Sequence, residues 1–207
     1  MASLSIPGST VVFDYGEVIS RSPSAESRQA LVDLAGVPAE PFWASYEAHR
    51  DALDDGSLGV VRYWKAIADD LVVTWSEALV HRLWVLDFTS WFDPEPGTLE
   101  VLHDLHEGGT RLALLSNAGY DFGGPFRYSP MGAFFERLFV SAELNDLKPR
   151  PSIYEHVLGE LGIEPGEMVF VDNKRVNVEA AEALGIVGHV FTSPEELRLF
   201  LEALAAA

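Results

Sequence analysis

Apolar positions along this chain fall into two textures. Near the start, Val11–Val12–Phe13 is a short run of β-branched and aromatic residues that ends at Asp14. It predicts a buried strand, with Gly16 allowing a turn just after the carboxylate. Ser20–Arg21–Ser22–Pro23–Ser24 has the composition of a linker. Helical spacing then dominates to about residue 92. Residues 25–35 carry a weak helical pattern. Between Glu40 and Leu53 the apolar positions are Phe42, Tyr46 and Leu53, with His49 on the same face. Between Ser57 and Leu71 they are Val60, Trp64, Ile67 and Leu71, at offsets 0, 4, 7 and 11. Between Thr74 and Leu86 they are Trp75, Leu79, Leu83 and Leu86. These stripes predict a small antiparallel helical bundle. Trp43, Trp64, Trp75, Trp84 and Trp91 all lie in this segment, so large rings are expected to fill its core.

After a second linker, Asp93–Pro94–Glu95–Pro96–Gly97, the texture changes. Helical stripes at 98–106, 152–161, 176–184 and 194–204 alternate with short apolar runs at 111–115, 138–140, 168–171 and 188–191, and a short helix is expected at 133–136. Alternation of this kind predicts βα units around a parallel sheet, whose strands are buried on both faces and read as continuous apolar runs. The fold class is therefore α/β: a doubly wound parallel sheet with an inserted helical bundle. The core is expected at residues 1–17 and 94–207, and the insertion at 18–93. Two crossings between them would form a hinge, with the bundle hanging over the carboxyl ends of the strands.

Composition narrows the function classes. The chain has 207 residues, 48% of them hydrophobic, enough to bury a core. No apolar run approaches the ~18 residues of a membrane span, and the first residues carry no signal-peptide pattern. There is no cysteine, which removes disulfides and thiolate metal sites and fits a cytoplasmic protein. The 32 acidic against 14 basic residues give a formal charge of −18, which repels nucleic acids and anionic lipid. Neither a nucleic-acid nor a membrane partner is expected; the expected state is a monomer or homodimer. A site handling phosphate on such a surface needs local positive charge from a cation, a lysine or backbone N–H groups.

Three predicted strands end in polar residues on one edge of the sheet: Asp14, Ser116–Asn117 and Asp172–Asn173. The loop after 138–140 carries Lys148–Pro149. Right-handed crossovers set these ends side by side, where open α/β sheets bind ligands. An aspartate there can be a nucleophile toward phosphorus, a metal ligand, or a turn cap. Two carboxylates can hold Mg²⁺. A hydroxyl, an amide and an ammonium can hold a phosphoryl group. Ser116 could equally cap a turn, Lys148 could be solvated, and Asn177 is read as a cap of the following helix rather than a substrate contact.

Four segments in this order resemble the motifs of the haloacid dehalogenase-like (HAD) hydrolase superfamily, in the branch with a helical cap inserted after the first motif. They are Phe13–Asp14–Tyr15–Gly16–Glu17–Val18, Leu115–Ser116–Asn117, Ser141–Ala142–Glu143 through Lys148–Pro149–Arg150–Pro151–Ser152–Ile153–Tyr154, and Val169–Phe170–Val171–Asp172–Asn173 continuing to Ala181. The resemblance implies a Rossmann-like core and a phosphatase that hydrolyses a small phosphorylated metabolite, with sugar phosphates one candidate class, through an aspartyl-phosphate. By that resemblance Asp14 is the nucleophile, Ser116 and Asn117 bind phosphoryl oxygens, and Lys148 pairs with both Asp14 and the phosphoryl group. Asp14, the carbonyl of Gly16 and Asp172 hold Mg²⁺.

Two departures stand out. Phosphatases of the superfamily usually carry a second aspartate two residues after the nucleophile, as acid and base for the leaving group; here that position is Gly16. The sequence resembles a subgroup with Asp-x-Gly there, which includes enzymes acting on sugar 1-phosphates. Glu17 is adjacent but points elsewhere on an extended chain. Asn173 stands where a second acid is common, removing a charge near the metal. The alternatives are a non-catalytic HAD-like binding protein, which Gly16 and Asn173 keep open, and a metal-independent 2-haloacid dehalogenase, which Asp172 opposes. In the cap, Arg21, Tyr46, His49, Arg50, Arg62 and Lys65 are candidates to face the cleft.

Overall fold

Five parallel strands run through the centre of the computed structural model, which describes residues 3–206. They are β1 (Thr10–Phe13), β2 (Arg111–Ser116), β3 (Arg137–Val140), β4 (Met168–Asp172) and β5 (Val187–Val190). Their spatial order is β3-β2-β1-β4-β5, so the first strand is the middle one. Phe13 pairs with Leu114 on one side and Val171 on the other, which levels the carboxyl ends of the three inner strands.

Side chains of these strands alternate between two apolar cores, as the pleat requires. Val11, Phe13, Leu112, Leu114, Val169 and Val171 face the first core. There they meet α6 (Pro96–Glu107) and α11 (Pro194–Ala205) through Leu102, Leu105, Leu197 and Leu201. Val12, Ala113, Leu115, Met168 and Phe170 face the second. It is closed by α9 (Pro151–Leu161) and α10 (Arg175–Glu182) through Ile153, Tyr154, Val157 and Ala181. Helices thus cover both faces, and the sheet is doubly wound.

Between β1 and α6 the chain forms five helices: α1 (Ala25–Ala35), α2 (Ala39–Ala48), α3 (Arg50–Asp54), α4 (Val60–Asp70) and α5 (Glu77–Ser90). Ser24 caps α1, accepting the Ser27 N–H at 3.1 Å, and Gly36 ends it in the left-handed region at φ 69°. The bundle has its own core, built on Phe42, Tyr63, Trp64, Ile67 and Leu83. Trp43, Trp75 and Trp84 pack around it, but Trp91 does not; it packs against the first core of the sheet domain. The helix expected from Glu40 to Leu53 breaks at His49, where the backbone turns with φ −101° and ψ −1°. That break takes His49 off the apolar stripe, and its Nε2 lies 2.9 Å from Asp70.

The two crossings between bundle and sheet run side by side. The Arg21 N–H donates to Asp93 O at 2.7 Å, the Glu95 N–H donates to Ile19 O at 2.8 Å, and Arg21 Nε lies 3.0 Å from Glu95 Oε2. Away from the crossings, Trp84 Nε1 donates to Asp121 Oδ2 at 2.7 Å, tying α5 to α7 (Tyr120–Tyr128).

The helix α7 has no counterpart in the sequence reading. Gly123, Gly124 and Pro125 disguise it as a loop. Packing overrides that propensity: Phe122 and Phe126 are buried, and the Phe126 ring centroid is 4.4 Å from that of Tyr15. The short helix expected at 133–136 is a 3₁₀ turn at Pro130–Phe134 instead. A four-residue helix, α8 (Ser141–Leu144), follows β3. Among the described residues no helix is long and apolar enough to cross a membrane.

Candidate active site

The sheet register delivers the reactive groups. β1 ends at Phe13, and the Asp14 N–H still donates to Val171 O at 2.8 Å, so Asp14 is held at the strand end beside Asp172, the last residue of β4. Lys148 reaches this point from the segment after α8. Its Nζ lies 2.8 Å from Asp14 Oδ1 and 2.8 Å from Asp172 Oδ2, and donates to Leu115 O at 2.8 Å. One ammonium therefore has three oxygen partners and is saturated as a donor.

Asn117 fixes that lysine from below. Its Nδ2 donates to Lys148 O and its Oδ1 accepts the Lys148 N–H, both at 2.9 Å. The side-chain amide is occupied in clamping the lysine backbone, and Ser116, Asn117 and Ala118 of this loop line the cavity. Ser116 is buried and lines the same cavity as Asp14 and Lys148.

Asp172 is fully buried and anchored on every side. Besides Lys148, its Oδ2 accepts from Asn177 Nδ2 at 2.9 Å, and its Oδ1 accepts the Lys174 N–H at 2.8 Å. This corrects the reading of Asn177. It does not cap α10; it lies within the first turn and holds the Asp172 carboxylate, while its carbonyl accepts from Tyr154 OH at 2.8 Å. The sequence signal for this was the five-residue spacing from Asp172, which brings a helix's first turn back over its own strand end.

Two carboxylates share one lysine, so the cluster is short of positive charge. Burial pushes the Asp14 carboxyl up from 3.8 to about 6; Asp172 adds to the rise and Lys148 opposes it. Burial alone would lower Lys148, but Asp14 and Asp172 hold it above its ordinary value.

The residues present fit a divalent cation. Among the described residues there is no cluster of three or more acidic, histidine or cysteine side chains that could hold a metal. Mg²⁺ does not need one, because it is bound through one or two carboxylates and keeps several waters. Asp14 and Asp172 supply two hard oxygen donors with surplus negative charge. Beside them, Asn173 Oδ1 is buried with no hydrogen-bond partner, while its Nδ2 donates to Glu17 Oε2 at 2.7 Å. That unpartnered oxygen is the kind of group a cation relieves. Glu17 sits at φ 61°, bonded to Asn173 and Ser22.

Above these residues is a cavity of about 360 Å³ whose far wall is the helical bundle. Gly16 opens onto it, and a Cβ built there would meet only Trp91 Cζ3, at 3.6 Å. Of the six cap residues considered from sequence, Tyr46 and Arg50 line the cavity. The others do not. Arg21 pairs with Glu95 at the crossing, His49 with Asp70, Lys65 with Asp69 at 3.0 Å, and Arg62 is exposed on α4. No local pattern marks Asp54 and Asp87, two further acids on the cavity wall. Burial raises both, with Arg50 opposing.

The family model described as hydrolase, haloacid dehalogenase-like hydrolase, matches residues 9–185. The sesquiterpene phosphatase astK of Aspergillus oryzae is 25% identical over 179 residues, covering 86% of each chain. A phosphoglycolate phosphatase of Pseudomonas putida is 32% identical over 187 residues, covering 85% of this chain and 66% of its own. Among solved structures, a magnesium complex of the HAD family enzyme bt-2542 from Bacteroides thetaiotaomicron superposes with a TM-score of 0.74 at 21% identity. The match covers 93% of this chain and 98% of that one. At that identity the likeness shows the fold.

Proposed function

From the premise that the chain belongs to the haloacid dehalogenase-like hydrolase family, we propose that it is a Mg²⁺-dependent phosphatase acting on a small phosphate monoester. The observation that carries this reading is the buried Asp14–Lys148–Asp172 triplet at the sheet edge, with 2.8 Å on each side of the lysine. The phosphatase relatives support it further. In this reading residues 18–93 act as a cap over a core of 1–17 and 94–207.

Asp14 attacks phosphorus in line, forming an aspartyl-phosphate as the P–O bond to the leaving group breaks. Water then attacks that phosphorus, releasing inorganic phosphate and restoring the carboxylate. Lys148 keeps Asp14 ionised and compensates charge on the phosphoryl group beside it. The Ser116 hydroxyl and the Asn117 backbone N–H receive phosphoryl oxygens. Asn117 holds Lys148 in register, and Asn177 holds Asp172. Asp14, Asp172 and the Gly16 carbonyl would hold Mg²⁺, with Asn173 Oδ1 at hand. When bound, the cation supplies Lewis-acid stabilisation of the transferring phosphoryl charge.

Gly16 puts no acid two residues beyond Asp14, and Glu17, which also lines the cavity, has its carboxylate bonded to Asn173 and Ser22. Esters whose leaving group needs little protonation, such as anomeric sugar phosphates, are favoured for that reason.

The test is phosphate release from p-nitrophenyl phosphate and a panel of sugar phosphates, with Mg²⁺ or EDTA, for the wild type and Asp14→Asn. Release that needs both Mg²⁺ and Asp14 is the expected result. No release from any ester by folded wild-type protein would overturn the reading in favour of a non-catalytic binding protein. Release of halide from a 2-haloacid, indifferent to EDTA, would overturn it in favour of a dehalogenase.

A further inference from the structure

The wall of the cavity opposite the nucleophile is built from one connected set of polar side chains drawn from α2, α3 and α5. Arg50 Nε donates to Asp54 Oδ2 at 3.1 Å. Arg50 Nη1 donates to Tyr46 OH at 3.0 Å, and Tyr46 OH donates to Asp87 Oδ1 at 2.8 Å. Tyr63 OH braces the set from behind, donating to Tyr46 O at 2.9 Å. Tyr46, Arg50, Asp54 and Asp87 line the cavity that holds Asp14. The set is also tied to the core: Ser141 Oγ donates to Asp54 O at 2.5 Å and accepts the Ala118 N–H at 2.9 Å. Ala118 follows Ser116 and Asn117 directly, so the end of α3 is anchored beside the phosphoryl loop.

These bonds use Nε and Nη1 of Arg50 and Oδ1 of Asp87. Arg50 Nη2 and Asp87 Oδ2 make no hydrogen bond among the described residues, and neither is a sealed, unsatisfied atom. The wall therefore keeps open donors on Arg50 Nη2 and an open acceptor on Asp87 Oδ2, their side chains joined through the same tyrosine. A hydroxyl can satisfy both at once, accepting from the guanidinium and donating to the carboxylate.

We propose that this Arg50–Tyr46–Asp87 wall reads a hydroxyl of the leaving group, and that it selects polyhydroxylated phosphate monoesters over carboxylate-bearing and hydrocarbon ones. The proposal rests on the phosphatase reading and adds the substrate class.

Charge argues against a carboxylate. One guanidinium stands between Asp54 and Asp87. With both acids ionised the set carries a surplus negative charge; with one protonated it is neutral. In neither state does it offer an uncompensated cation, and Glu47 and Asp51 add further acids to the same wall. Arg28, the other cation there, has its guanidinium 4.0 Å above the Trp43 ring. Of the remaining cations, Lys148 is held between Asp14 and Asp172, and Lys174 faces Asp54, whose carboxyl it helps to hold down. A carboxylate placed against Asp87 is repelled, and such a like-charge contact is a common way to reject a wrong ligand. A hydrocarbon chain fares no better, since it strips water from Arg50 and Asp87 and returns no hydrogen bond. The rings of Trp43 and Trp91 on the same cavity suit the apolar faces of a polyol or sugar.

The experiment compares kcat/KM for D-ribitol 5-phosphate, 2-phosphoglycolate and farnesyl phosphate, each normalised to p-nitrophenyl phosphate. The wild type, Asp87→Asn and Tyr46→Phe are measured, with folding checked by circular dichroism. The wild type is expected to prefer the polyol ester over each of the others by about tenfold or more. Asp87→Asn, which removes the repelling charge, is expected to cut the polyol-to-carboxylate ratio at least about fivefold. Tyr46→Phe, which frees the two open groups from each other, is expected to cut it in the same direction. A wild type that prefers phosphoglycolate or the farnesyl ester overturns the proposal. So does a polyol preference that neither variant changes. Failure to hydrolyse p-nitrophenyl phosphate would instead bring down the phosphatase reading beneath it.

Discussion

Lys148 Nζ and Asp14 Oδ1 stand 2.8 Å apart in a site where the lysine side chain is 1% exposed and the aspartate 11%. A buried pair of this kind is informative when one partner is removed, because the other is left charged and desolvated. Lys148→Met keeps most of the stem and deletes the charge. It leaves Asp14 and Asp172 facing each other with no cation from the protein. In EDTA at pH 7.5 the variant should lose about 3–5 kcal/mol in urea unfolding, and turnover should vanish. Adding Asp14→Asn should return part of the lost stability. A single variant that unfolds within about 1 kcal/mol of the wild type would contradict the ion-pair account.

Asp14 itself reports the charge imbalance through pH. Asp14 in the metal-free fold has its pKa raised to about 6 from 3.8, chiefly by burial. An acid raised on folding favours the fold in its protonated state. Its contribution is complete below the unfolded value and is lost as pH rises through the folded one. Asp14→Asn imitates the protonated form at every pH. In EDTA the variant should match the wild type near pH 4 and exceed it at pH 7.5, by up to ~3 kcal/mol. Urea midpoints at the two pH values check this. A variant less stable than the wild type at pH 7.5 would show that the contact with Lys148 outweighs the desolvation of the carboxylate.

Asn177 stands one step behind the proposed metal ligands. Its Nδ2 bond to Asp172 Oδ2, 2.9 Å long and buried, orients a carboxylate that the proposed cation would need. Residues that orient ligands typically change metal affinity by about 10–100-fold when removed. Asn177→Ala should therefore shift the Mg²⁺ concentration that raises the melting temperature upward by that factor. A titration of melting temperature with Mg²⁺ reads this without substrate. An unchanged midpoint would reduce Asn177 to a packing residue.

The architecture was legible because its apolar runs are unambiguous. Val11–Phe13 and Met168–Val171 are buried on both faces, and only a parallel sheet covered on both sides hides such runs. In α4, Trp64 and Ile67 of the predicted stripe are buried, and Val60 and Leu71 pack beside them. What escaped depends on contacts between distant segments. The helix α7 is made by Phe122 and Phe126 packing on Tyr15 and Phe92, against its own glycines and proline. His49 fits the apolar period only if α2 continues, and the chain breaks there. Among the site residues, Asp14, Lys148 and Asp172 could be placed because strand ends converge by topology. The role of Asn117 could not, because its partner Lys148 lies 31 positions away; that of Asn177 was carried by its five-residue spacing from Asp172, which equally suits a helix cap. The pairing of Asp87 with Tyr46 spans 41 positions and leaves no mark in the local sequence.

Gly16 gives the last prediction. The position two residues beyond Asp14 carries no acid, yet nothing among the described residues requires glycine there. Gly16 is not among the glycines in the left-handed region, and an added Cβ would rest 3.6 Å from Trp91 Cζ3, an ordinary contact. Gly16→Asp should therefore fold, and it would place a carboxyl group on the cavity that contains Asp14. Proton delivery by a well-placed side chain contributes about 10²–10⁴-fold, and it matters most when the leaving group is a poor one. Alkyl phosphates should gain in kcat/KM in this variant, while p-nitrophenyl phosphate, whose phenolate leaves readily, should change little. Paired measurements on the two ester types at fixed Mg²⁺ make the comparison internal. A gain confined to the alkyl ester would show that leaving-group protonation limits the natural protein. A loss on both would show that the site has adapted around glycine, so that the added carboxylate disturbs the metal ligands or repels the phosphoryl group.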